Sequence, residues 1–76
     1  DTLRYEEGDC VKVDIGVHVD GYVADTALTV DLSRDGRWQD LIRASADALA
    51  AAIATVADGV PVGEIGAAIE RTIMKA

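Results

Sequence analysis

From Val11 to Asp20 apolar and polar residues alternate without a break: Val11, Val13, Ile15, Val17 and Val19 are followed in turn by Lys12, Asp14, Gly16, His18 and Asp20. A period of two sends successive side chains to opposite faces, so the pattern predicts a half-buried strand. The strand runs into Asp20-Gly21, a dipeptide suited to the two-residue type I′ hairpin turn, in which both central residues take a positive φ. A second strand follows from Tyr22 to about Val30, rich in Val, Thr and Tyr. The hairpin therefore spans about residues 9–31, preceded by a polar lead-in over residues 1–9 that ends in the turn-like Glu6-Glu7-Gly8-Asp9.

Ser33-Arg34-Asp35-Gly36 breaks the sheet pattern, and the period then changes. Leu41, Ile42, Ser45, Leu49, Ile53 and Val56 recur at helical spacing in an alanine-rich stretch, which predicts an amphipathic helix over about residues 37–57. Asp58-Gly59 is read as its stop, with the glycine in the usual C-terminal position. Pro61 introduces a second helix over about residues 62–75, whose Ile65, Ile69 and Ile73 form one stripe. The stripes are expected to be core. Hairpin, helix, helix is an α+β order, with the helices expected to cover one face of an antiparallel sheet. No repeat or low-complexity linker interrupts it.

Composition narrows the class. At 76 residues this is at most one small domain, and a chain of that size buries only about 60% of its unfolded surface. The absence of an initiator Met, and helix-like sequence up to Met74-Lys75-Ala76, suggest a segment of something longer. No apolar run approaches the roughly 18 residues that a membrane span requires. The net charge is −7, and the basic residues are scattered singly, which argues against a nucleic-acid surface. Asp outnumbers Glu and the only lysines are Lys12 and Lys75; the balance fits either a high-salt cytoplasm or an ordinary acidic protein. The lone Cys10 has no partner for an internal disulfide, which fits a reducing cytoplasm. It reads as a small strand-edge residue.

The hairpin poses the chemical question, because Asp14 and Asp25 lie well inside strands rather than at the turn. If Asp20 and Gly21 form the loop, Val19 faces Tyr22, Asp25 faces Gly16 and Asp14 faces Ala27. Directly opposed residues, and residues two apart on one strand, point to the same face. Asp14 and Asp25 are then diagonal neighbours with Cα atoms roughly 7 to 8 Å apart, flanked by the small residues Gly16 and Ala27. Two carboxylates this close repel, and a divalent cation relieves the repulsion. Oxygen-rich ligation suits Mn, Fe, Co or Zn. The other reading is a pair of ordinary solvent-facing aspartates. His18 shares the face, opposite Val23, and reads either as a third ligand or as an exposed strand residue near a turn.

The residues Gly8-Asp9-Cys10-Val11-Lys12-Val13-Asp14-Ile15-Gly16-Val17-His18, then Asp20-Gly21-Tyr22, Ala24-Asp25-Thr26-Ala27 and Thr29-Val30, resemble the first metal-binding hairpin of methionine aminopeptidases, which are pita-bread-fold metallopeptidases. The resemblance is close over about residues 6–31, and the two helices with Gly59-Val60-Pro61-Val62 fit the family in order and length. Two aspartates eleven positions apart around Asp-Gly-aromatic are shared across much of the superfamily, Xaa-Pro peptidases included. His18, four after the first aspartate, together with Asp25-Thr26-Ala27-Leu28-Thr29-Val30, is more similar to the archaeal and eukaryotic type II branch.

The resemblance implies a partial catalytic domain over residues 1–76 of a cytoplasmic, monomeric hydrolase that removes Met from peptides or nascent chains. It implies two divalent metal ions (Co, Mn, Fe or Zn), with Asp14 chelating one and Asp25 bridging both, and a water activated between them for attack on the first peptide carbonyl. The family completes the site with one further His and two Glu, which have no counterparts in this chain: its only His is His18, and Glu64 and Glu70 fall on a predicted surface helix. The segment itself is therefore expected to be inactive, with no catalytic or substrate-binding residue assigned within it and no nucleic-acid or membrane partner. The alternatives are an Xaa-Pro peptidase and a non-catalytic pita-bread-fold protein associated with ribosome or RNA.

Overall fold

The computed structural model describes residues 3–76; Asp1 and Thr2, the start of the expected polar lead-in, lie outside the described residues. The elements follow one another as strand β1 (Cys10–Val19), strand β2 (Tyr22–Asp31), helix α1 (Gln39–Thr55) and helix α2 (Val62–Lys75). The chain divides into two compact units, Asp1–Trp38 and Gln39–Ala76. Among the described residues no helix is long and apolar enough to cross a membrane.

In the first unit β1 and β2 form a two-stranded antiparallel sheet. The turn sets its register: Asp20 and Gly21 have φ of 52° and 84°, both positive, as a type I′ loop requires. Asp tolerates this left-handed region better than most residues with a side chain, and Gly enters it freely. Val19 consequently pairs with Tyr22, and the ladder runs unbroken to Cys10 opposite Asp31. The apolar row Val13, Ile15 and Val17 is about half exposed, at 47%, 53% and 54%, so neither face of the hairpin is buried.

Beyond the strands the ladder continues through backbone bonds from Leu32 N–H to the Asp9 carbonyl (2.9 Å) and from Gly8 N–H to the Leu32 carbonyl (3.1 Å). The following loop folds back on the base of the hairpin around Asp31. One Asp31 carboxylate oxygen accepts from the Ser33 N–H (2.8 Å) and hydroxyl (2.5 Å), and the other accepts from the Trp38 N–H (3.3 Å). The Trp38 indole N–H donates to the Gly8 carbonyl at 2.7 Å. A half-buried indole needs such a partner, and this one ties the end of the loop to the turn that leads into β1.

In the second unit α1 and α2 pack through small residues. Ala48 and Ala52 of α1 and Ala68 of α2 are its buried residues, at 4%, 7% and 5% exposure. The expected stripes divide differently from the prediction: Ile42, Ile65 and Ile69 are half-buried, whereas Leu41, Leu49, Ile53, Val56 and Ile73 are exposed. Alanines let two helix backbones approach closely, and the seam they bury is narrow. The large side chains beside that seam stay in solvent.

α1 ends at Thr55, inside the expected span. The Thr55 hydroxyl donates back to the Ala51 carbonyl (2.8 Å), a bond that competes with the helical ladder, and Val56 N–H turns to the Ile53 carbonyl in a tighter i→i−3 bond. Gly59, with φ of 85°, sits in a separate turn closed by Val60 N–H to the Ala57 carbonyl (3.1 Å). It is a turn residue rather than the helix stop. Pro61 caps α2 in an extended conformation (φ −62°, ψ 142°), with Glu64 in the first turn and Lys75 in the last, the charge order that the helix dipole favours.

Candidate metal centre

The register places Asp14 opposite Ala27 and Gly16 opposite Asp25. Asp14, Gly16, Asp25 and Ala27 therefore share one sheet face, with the two carboxylates on a diagonal. This is the arrangement expected from the turn, and it depends on the count: a one-residue slip would send the two aspartates to opposite faces. Both aspartates are exposed.

Gly16 is the space between them. A Cβ built there meets no heavy atom within 4 Å, and Ala27 adds only a methyl group on the other diagonal. Two hard oxygen donors beside an open patch suit a divalent cation in both chemistry and room. They are two ligands only. His18 lies on the same face opposite Val23, yet among the described residues no group of three or more His, Cys, Asp or Glu is gathered closely enough to hold a metal ion. Cys10 is exposed at the start of β1, and Glu64 and Glu70 are exposed on α2.

The sequence reading passed over one neighbour of the pair. The ammonium of Lys12, two residues before Asp14 and on the same face, lies 3.9 Å from Asp14 Oδ2, with the two side chains 65% and 57% exposed. The signal was present in the alternation itself, since residues i and i+2 of a strand share a face. Two other ion pairs involve the loop after β2. Arg34 Nε meets Glu7 Oε1 at 2.6 Å, and a hydrogen bond from Arg37 holds the exposed Asp35 carboxyl below its usual range.

Comparison with known proteins sets this hairpin in a family. Over 73 residues the chain is 47% identical to a methionine aminopeptidase of Methanocaldococcus jannaschii and 51% identical to one of Archaeoglobus fulgidus, in each case covering 96% of this chain and 24% of the relative. A methionine aminopeptidase of Pyrococcus horikoshii is 49% identical over 75 residues, covering 99% of this chain and 25% of the relative. The chain thus spans about a quarter of the length of the curated relatives it matches. No solved structure shows a significant match. The model of metallopeptidase family M24 matches residues 1–76, hairpin and both helices together, and the chain belongs to that family.

Proposed function

We propose that this chain is part of the catalytic domain of a cytoplasmic methionine aminopeptidase, and that Asp14 and Asp25 are two of its metal ligands. Membership of a metallopeptidase family implies the use of divalent metal. The observation that carries the finer reading is the register: two carboxylates on one diagonal, with Gly16 and Ala27 leaving space beside them, in a chain about half identical to methionine aminopeptidases.

In this reading Asp14 would hold one divalent ion among Co, Mn, Fe or Zn, and Asp25 would be a ligand shared by two. When bound, such a pair supplies an activated water for hydrolysis of the first peptide bond. The hairpin's part is to hold the two carboxylates at a fixed separation on a continuous ladder. The remaining donors and the pocket for the Met side chain come from outside this segment, so the isolated segment is inactive. The partners are peptides or nascent chains beginning with Met, and the protein acts as a monomer.

The named relatives favour this reading over an Xaa-Pro peptidase or a non-catalytic module. The test is substrate choice by the full-length protein carrying this segment. It is expected to release Met from a Met-Ala-Ser peptide and to leave intact a peptide with Pro second behind a residue other than Met. Preference for the Xaa-Pro peptide would overturn the assignment.

A further inference from the structure

We propose that Lys12 is a positioning residue that sets the affinity of the metal centre by acting as the resident counter-ion of Asp14. The proposal rests on the reading of Asp14 and Asp25 as metal ligands. Lys12 is the only Lys or Arg on the face that carries Asp14, Gly16, His18 and Asp25. Its Nζ lies 3.9 Å from Asp14 Oδ2, and its strand partner is the neutral Thr29. A four-carbon stem lets the ammonium reach the carboxylate from two residues away.

Without metal, two carboxylates on one diagonal repel each other, and one tethered cation beside Asp14 offsets part of that repulsion. A divalent ion bound through Asp14 Oδ2 would displace Lys12 from that oxygen. Because the pair is well exposed, it is weak and yields to a doubly charged ion in direct contact. The ammonium then remains near the bound ion as a like charge, which lowers the ion's affinity. Lys12 therefore keeps the carboxylate pair compatible with the fold when empty, and keeps the ion on the Asp14 side exchangeable when loaded.

The test is calorimetric titration of Mn(II) into the full-length protein carrying this segment, as wild type and as the Lys12→Met, Lys12→Arg and Asp25→Asn variants. Methionine keeps the length of the stem and removes the charge. Lys12→Met is expected to bind Mn(II) about threefold to tenfold more tightly, the size of a unit charge acting on a divalent ion several ångströms away through a largely aqueous medium. Lys12→Arg is expected to restore wild-type affinity. The gap between wild type and Lys12→Met should narrow as KCl rises from about 0.05 M to 1 M, because exposed charges are screened; a packing role would leave it unchanged. Equal or weaker binding by Lys12→Met overturns the role of Lys12. Unchanged binding by Asp25→Asn overturns the metal reading itself, and the Lys12 proposal with it.

Discussion

In the full-length protein carrying this segment, Asp25→Asn is expected to lower the rate of Met release by at least about a hundredfold to a thousandfold, the scale on which removing one preorganised electrostatic contact acts at a reacting centre. The physical reason is the difference between a carboxylate and an amide. Ionised Asp offers two oxygens that both accept, so it can serve two cations at once, whereas Asn turns one of those positions into an NH₂ donor. The amide is nearly the same size, and Asp25 lies exposed on β2 opposite Gly16, so the hairpin should fold as before. Circular dichroism and thermal unfolding of the variant check that condition. A folded variant that cleaves at the wild-type rate would show that Asp25 does not bridge.

Gly16→Val should separate folding from binding in the opposite way. A Cβ at Gly16 meets no heavy atom within 4 Å, and a β-branched residue suits a strand interior better than glycine does. The hairpin should therefore be as stable or slightly more so. The new side chain, however, rises on the face shared with Asp14 and Asp25 and fills the gap between them. Mn(II) affinity is expected to fall by at least about tenfold, and Met release with it, because the new side chain would occupy the room that an ion between the two carboxylates needs. Calorimetry and thermal unfolding on the same preparation measure both quantities. A stable Gly16→Val variant that binds Mn(II) like the wild type would show that the ion lies elsewhere.

The geometry behind both expectations was legible in the sequence because one short-range rule determined a longer-range one. Asp20-Gly21 specifies a turn of two residues, the turn sets which residues face each other, and the pairing of Gly16 with Asp25 follows by counting. The helices were legible as elements but not in their packing. The spacing of Leu41, Leu49 and Ile53 marks a helical face, yet the contact runs through Ala48, Ala52 and Ala68. An alanine-rich helix has alanines on every side, so composition alone does not say which of them meet a neighbour.

The loop after β2 was hidden for a different reason. Its hydrogen bonds join Trp38 to Gly8, 30 residues back in the chain, and to Asp31, seven residues back, spacings that no local pattern announces. The Asp31–Ser33 and Asp35–Arg37 contacts had a local signature, an Asp whose side chain accepts from the backbone N–H two residues on. Lys12 fell between these cases. Its position on the site face followed from the alternation, but its approach to Asp14 depends on how a flexible side chain comes to rest.

The central claim is that Asp14 and Asp25 share a metal centre, and it is tested most directly by anomalous X-ray diffraction from crystals of the full-length protein carrying this segment, grown with Mn(II) and measured at the manganese edge. Two anomalous peaks about 3.5 to 4 Å apart, one within bonding distance of Asp14 and both within bonding distance of Asp25, are the expected result. Manganese bound away from the Asp14–Gly16–Asp25 face, with those two carboxylates touching only solvent, would contradict it.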